Sequence, residues 1–506
     1  MSWGADALGV TEDTFQMIKA ATTGITTSTG VAGIDLLADL MSWVPVDTPF
    51  FNSVPRAPGK GATHAFWQTL LNVNGTQPTG GVKKGEAATV IKIKNQYTYS
   101  PYAIVGAGGF VTWDAMAQAE DYATVLAVDT LQTINQQLIN LEIHQLNAQA
   151  FACPTPTAPT VTKGSGGSIP TSKTVYVKVA VRSGVNWYRG GASALSAAGH
   201  VATTAATSSA TVSVPAVKTA AGYDWYVATG SGGTYYYYTT TPVNTVTVTK
   251  IPIANEKVPT TYAGLYKAGQ TGPTAVTTGT THHTYWQNGL LASILGEWPS
   301  NPDQALASGA SSGLVTPGTA TAVTQGAYYQ SLTGAALSVE GAAFAQVDTM
   351  NRKIYDTYQV TPSRMLMGSQ VITDFANAFL NNPQAVAWLR PDAADGRAAA
   401  VMGGHVATYL NKTVNGKPIE MHLMPYLPPG KIVSVIDSLP FPGSNVTSAL
   451  QVRTLYDFFR FDYGANRTTG ATGGPRYDFE IRSEQAFVNK ASGICGVLDN
   501  IGAGVA

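Results

Sequence analysis

The chain has 506 residues, of which only 12% are charged, and its 30 basic and 30 acidic side chains cancel to a formal net charge of zero. That length can hold two or three separate cores, and zero net charge gives no compositional case for a nucleic-acid binder. Low charge combined with 52 glycines and abundant Thr, Ala and Ser suits an assembly protein better than a free cytosolic enzyme.

Residues 1–55 read as an arm. Met1 to Val10 lack the basic and apolar regions of a secretory signal, so none is expected. Ile34, Leu37, Leu40 and Val44 share one face of a short helix, and the prolines between Asp47 and Pro55 force extended chain. Residues 56–109 follow as a hairpin, with strands at Ala62 to Val73 and Ala88 to Tyr99 around a loop rich in turn formers. Arg56, Lys60, Lys83, Lys84, Lys92 and Lys94 face a single acid, Glu86, in this stretch. A lone two-stranded hairpin is barely stable in water, so these bases are expected to contact a neighbouring surface.

From Phe110 to Cys153 there is neither Gly nor Pro, and the segment predicts one helix about 60 Å long at about 1.5 Å per residue. Thr112 is the expected N-cap, with Asp114 in the first turn. Tyr122, Val125, Val128, Leu131, Ile134, Leu138 and Leu141 form an apolar stripe. Asp114, Glu120, Asp121, Asp129 and Glu142, with no Lys or Arg among them, predict an exposed acidic flank able to meet the basic hairpin of another copy.

Pro154 to Pro159 read as a stiff linker, and residues 154–262 as about seven short strands forming an all-β sandwich. Val175, Val177, Val179 and Val181 alternate with polar or small residues, the period of a strand with one buried face. Eight bases against two acids give this segment a charge of 8 − 2 = +6, leaving −6 for the rest. Tyr235, Tyr236, Tyr237 and Tyr238 are candidates for surface recognition, against the plainer reading of a strand with two rings inside and two outside. Residues 263–506 alternate helices and strands: a helix from near Ser338 through Tyr358, a strand Arg364 to Met367, a helix from Ser369 to Phe379, and a hairpin about Asn415 and Gly416. Strands follow at Lys431 to Ile436 and at Arg476 to Arg482, where Tyr477, Phe479 and Ile481 alternate with Arg476, Asp478, Glu480 and Arg482 as in a half-buried strand, and the overall class is α+β.

No catalytic arrangement can be assembled. Asn415 to Pro418 lacks the spacing of a phosphate loop, and Gly106 to Gly109 has Val111 where a dinucleotide-binding turn needs glycine. His282 and His283 are adjacent and point apart in regular structure, so no metal or cofactor is expected, and the chain is read as a non-enzyme. Cys153 and Cys495 cannot form a disulfide framework, and whether they meet is open; a reducing compartment is the default. No stretch approaches 18 consecutive apolar residues, so no membrane span is expected.

Taken in order, these segments resemble the major capsid proteins of tailed bacteriophages, the Hong Kong 97-type fold. Met1 to Pro55 resembles the N-terminal arm, with Thr48 to Phe50 at its junction. Residues 56–109 resemble the extended hairpin loop, and 110–153 the spine helix. Ser363 to Ser369, Met424 to Asp437 and Tyr477 to Val488 are similar to the axial and peripheral strands, so 263–506 would hold the axial domain and the rest of the peripheral one. Gly222 to Ala228 and Gly233 to Tyr238 resemble immunoglobulin-like or fibronectin type III domains found on phage surfaces, here inserted after the spine.

The resemblance implies a virion protein, assembled in the host bacterial cytoplasm. Its hexamers and pentamers would close an icosahedral shell around double-stranded DNA that is contained non-specifically. A separate scaffolding protein and a portal would be partners. The inserted sandwich would be displayed outside and be dispensable for assembly. An encapsulin-like compartment, or a tail or adhesion protein, is the alternative.

Overall fold

The structure, a computed structural model, describes residues 47–61, 64–71, 84–85, 94–118, 125–149, 155–189, 192–204, 208–230, 235–251, 288–295, 298–299, 314–315, 327–340, 343–381, 408–411, 417–439, 448–467 and 475–503. The arm helix expected at Ile34 to Val44, the Asn415 and Gly416 turn and the two adjacent histidines lie outside them.

In chain order the first elements are α1 (Pro49–Ser53), β1 (Arg56–Pro58), β2 (His64–Leu71), β3 (Lys94–Pro101), β4 (Ala103–Thr112), α2 (Trp113–Gln118) and α3 (Val125–Asn147). The expected hairpin exists as β2 paired with β3, from His64 opposite Pro101 to Leu71 opposite Lys94. The expectation of a helix beginning at Phe110 is corrected. Phe110 to Thr112 complete strand β4, whose residues alternate between buried and open and whose partners lie in a strand far along the chain. Helix begins at Trp113, where the Ala115 N–H donates to the Thr112 hydroxyl at 3.3 Å, so the expected capping residue does its work. Residues 119–124 and Cys153 are outside the described residues.

Next come β5 (Thr160–Gly164), β6 (Thr174–Ser183), α4 (Gly184–Arg189), β7 (Gly199–Ala202), β8 (Ser209–Ser213), β9 (Ala220–Ala228), β10 (Tyr236–Thr241) and β11 (Thr245–Val248). They make two sheets, ordered β10-β9-β6-β7 and β11-β8-β5. Val175, Val177, Val179 and Val181 share one core with Val212, Tyr223, Trp225, Val227 and Val248. The other face of β9 packs Tyr226 and Ala228 against Ala180, Ala192 and Tyr235. Beyond the end of β7, the hydroxyls of Ser193 and Ser196 accept the Val181 and Val179 N–H groups at 2.9 and 3.0 Å. Side chains thus complete hydrogen bonding along the edge of β6.

The remainder contains α5 (Leu290–Leu295), the short pair β12 (Trp298–Pro299) and β13 (Leu314–Val315), β14 (Tyr328–Ser331), and the short pair β15 (Val339–Glu340) and β16 (Ala343–Phe344). Then follow α6 (Ala345–Tyr358), β17 (Arg364–Met367), α7 (Ser369–Asn381), β18 (Thr408–Asn411), β19 (Lys417–Leu423), β20 (Ile432–Val435), β21 (Leu450–Arg467), β22 (Pro475–Asn489) and β23 (Gly496–Asp499). The helix expected from Ser338 therefore starts seven residues later, after a bridge between Val339 and Phe344.

A six-stranded mixed sheet, β14-β23-β20-β17-β19-β18, has both faces covered. Met365, Met367, Ile432 and Leu498 pack on α6 and α7 through Val347, Met350, Val371 and Phe375. Leu366, Val433, Val435 and Val497 pack on α5, on Leu146 of α3 and on Phe50 of α1. Such two-sided burial explains why these strands read as continuous apolar runs.

A second sheet, β1-β21-β22-β4, carries the long strands. Helix α3 lies along one face of it: Leu141 meets Val105 and Phe51, and the Gln145 amide donates to Gln485 at 3.4 Å. At the far end of α3 the Gly289 N–H donates to the Ala148 carbonyl at 2.8 Å, closing the helix against α5. The predicted one-sided stripe is thus corrected for the C-terminal half of α3, which is enclosed by α1, the long sheet, α4 and α5.

Candidate assembly surface

The long sheet has one face packed on α3 and the other left open. Residues 103, 105 and 111 of β4 turn toward α3, whereas Ile104 and Phe110 face outward. Antiparallel pairing places Glu484, Arg482, Glu480, Asp478 and Arg476 of β22 on that same outward face, opposite Ile104, Gly106, Gly108, Phe110 and Thr112. Strand β21 adds Phe459 and Phe461, opposite Arg482 and Glu480.

The outward face is ordered by its own charges. Arg482 holds both oxygens of Glu480, at 2.6 and 2.7 Å, and the Tyr463 hydroxyl donates to Glu480 at 2.9 Å. These contacts hold the Glu480 carboxyl below the usual carboxylate range, the Arg482 hydrogen bonds contributing most. Arg476 pairs with Asp478 at 2.9 Å and lies over the Phe110 ring at 5.0 Å. Phe459 and Phe461 pack at 4.7 Å, with the Arg482 guanidinium 5.4 Å from the Phe461 centroid. Gly106 has a structural reason: a Cβ there would come within 3.1 Å of Glu480 Oε1 and 3.2 Å of Arg482 Cγ, so its absence lets this pair lie flat across β4. Phe110, Phe459 and Tyr463 are nevertheless 57%, 53% and 53% exposed. Rings of this size, clustered on a strand face and framed by paired charges, mark a surface built to be covered.

The sequence-predicted contact residues are placed as follows. Arg56 pairs with Asp457 and stacks 3.9 Å over Phe51, so it serves its own chain. Lys60 and Lys84 are exposed. Lys94 opens β3, while Lys83 and Lys92 lie outside the described residues. Asp114 is exposed at the start of α2, and Glu120 and Asp121 are not described. Asp129 sits beneath Gly109 on the inner side of the long sheet, where burial raises its carboxyl above the ordinary value.

Glu142 corrects the expectation of an exposed acidic flank. It is fully buried, and its two oxygens accept the N–H groups of Phe50 and Phe51 at 3.1 and 2.6 Å. Thr48 at the start of α1 makes no side-chain capping bond, so Glu142 caps that helix from 92 residues away. Burial, the largest influence, pushes its pKa up to about 7 against the pull of the two amides, and Asp47 adds to the rise.

The tyrosine run divides unevenly. Tyr235 is buried under Lys178, whose Nζ lies 4.5 Å from the ring, which corrects its reading as a surface contact. Tyr237 bonds Thr240 at 2.8 Å, and the Tyr238 hydroxyl accepts the Thr249 N–H at 3.1 Å. Tyr236, at the start of β10, is half-buried.

Sequence reading registered Arg476, Asp478, Glu480 and Arg482 as the polar half of a strand without assigning them a role. It passed over Phe459, Phe461 and Tyr463, although their every-second-residue spacing was visible. Among the described residues no group of three or more His, Cys, Asp or Glu side chains could hold a metal, and no helix is long and apolar enough to cross a membrane.

No family model and no curated protein sequence matches this chain. Among solved structures it is similar to the cyanophage A-1(L) capsid asymmetric unit, at 10% identity over 94% of this chain and 98% of that one, with a TM-score of 0.45. It is similar to the capsid of Myoviridae phage XM1 at 9% identity, over 92% and 95% of the two chains, with a TM-score of 0.39. Similarity to the holo-SrpI encapsulin complex from Synechococcus elongatus PCC 7942 stands at 9% identity, 94% of both chains and a TM-score of 0.34.

Proposed function

We propose that this protein is a shell-forming subunit, the major capsid protein of a tailed bacteriophage. Copies of it would form the hexamers and pentamers of an icosahedral shell around double-stranded DNA. The observation that carries this reading is the outward face of β4, β21 and β22. It holds large rings in a lattice of paired charges, on a sheet whose other face is already filled by α3. The β2–β3 ribbon, hydrogen-bonded only to itself among the described strands and packed on the long sheet through Ala65 and Trp67, supports the same reading, because the rest of such a ribbon needs an external surface.

In this reading α3 is the spine, residues 56–109 are the extended loop, and the sheets of 263–506 supply the axial domain and the rest of the peripheral domain. Residues 154–262 are an inserted immunoglobulin-like unit on the outer surface. Lys60, Lys84 and Lys94 of the loop, with Lys83 and Lys92, reach a neighbouring copy, and Asp114 is an acid open to them. The subunit is structural rather than enzymatic. Its partners are further copies of itself, a separate scaffolding protein and a portal, and its place is the virion. Closed symmetry multiplies modest contacts, so no single interface needs to be strong.

Electron microscopy of the purified protein tests this. Closed shells are expected; dispersed monomers under all assembly conditions would overturn it. Extracting the contents of the particles separates the phage reading, which requires DNA, from a compartment holding an enzyme.

A further inference from the structure

We propose that the seven-stranded portion, residues 160–248, is a brace for α3 rather than a removable ornament. It contacts the rest of the chain through its base, and each contact engages a different element.

The first contact is α4, which interrupts the strands at the base and lies against the end of α3. Val185 joins Ile139, Ile143 and Ala148 in one apolar cluster. Gly184 touches Asn147 so closely that a Cβ there would fall 2.5 Å from the Asn147 Cβ. Asn147 in turn donates to the Tyr426 carbonyl at 2.7 Å, and the Tyr188 ring meets the Tyr426 ring edge-on at 5.7 Å. One short helix therefore ties α3 to the turn that follows β19. The second contact is the connection between β10 and β11. Val243 and Thr245 close on Gly334, in the turn after β14, where a positive φ of 83° and the nearness of Thr245 leave no room for a side chain.

The base itself is stiff. Arg182, two residues before α4, grips both oxygens of Asp224 at 2.9 and 2.7 Å, and both side chains are fully buried. A buried ion pair offsets its desolvation only while that geometry is kept, so β6 and β9 cannot part at this point without a large penalty. Rigid strands fixed at two points hold the end of α3 in register with the six-stranded sheet.

Hydrogen exchange on the full-length chain tests the brace with two variants. Val185→Ala with Tyr188→Ala removes the apolar plug, and Gly184→Ala wedges α4 away from Asn147; neither touches the sandwich core. The readout is exchange at residues 139–147 of α3 relative to residues 365 and 433 of the six-stranded sheet in the same sample. Both variants are expected to raise that ratio by about tenfold or more, since local opening is governed by the few contacts that hold a segment. A ratio within about twofold of the parent in both, whether nothing loosens or everything loosens together, would overturn the proposal.

Discussion

Glu142 shows how one side chain can set the behaviour of a joint. Its carboxyl titrates near 4.5 when exposed and is raised to about 7 in the folded chain. Between those values the folded chain keeps a proton that the unfolded chain has lost. Stability therefore falls as pH rises from about 4.5 to 7 and is level above, by on the order of 3 kcal/mol for this group. Urea midpoints at pH 5 and pH 8 should differ in this direction, and Glu142→Gln should flatten the difference; an unchanged pH profile would contradict the role. A second residue test concerns Gly109, where a Cβ would come within 2.5 Å of the Phe479 ring and 2.6 Å of Asp129. Gly109→Ala should cost about 1–3 kcal/mol, as overpacking between a sheet and a helix does, and thermal unfolding would read it.

At the level of elements, β2 and β3 depend on what lies beside them. Limited proteolysis of dispersed subunits should cut within residues 64–101 first, and assembled particles should resist; equal cutting in both states would show that nothing covers the ribbon. Much of this architecture was legible. The alternating valines of β6 announced its buried face, and Tyr477, Phe479 and Ile481 announced that of β22. Three features were not. Phe110 to Thr112 belong to a strand because of partners at 476–478, and no local break separates them from the helix that follows. Glu142 looked like part of a solvated flank because its partners are backbone amides of residues 50 and 51, groups that carry no sequence signal. Helix α4 was missed because six residues containing Gly, Asn and two aromatics offer no helical period, only a base against which to pack.

At the scale of the whole molecule, the proposed function makes the aromatic face the surface through which copies associate. Replacing Phe110 and Phe459 with serine removes exposed rings without opening a core, so the variant should fold normally yet fail to close shells. Sedimentation and electron microscopy would show this, and normal shells from the double variant would count against the assigned face. The topology of that sheet also imposes an order in time. Strand β4 ends at residue 112 and its partner β22 begins at 475, a separation of 475 − 112 = 363 residues. During synthesis the ribosome must deliver all of that intervening chain before β4 can pair. The aromatic face thus comes into existence only when translation is nearly through residue 489, and nascent chains growing side by side on one message lack it until then.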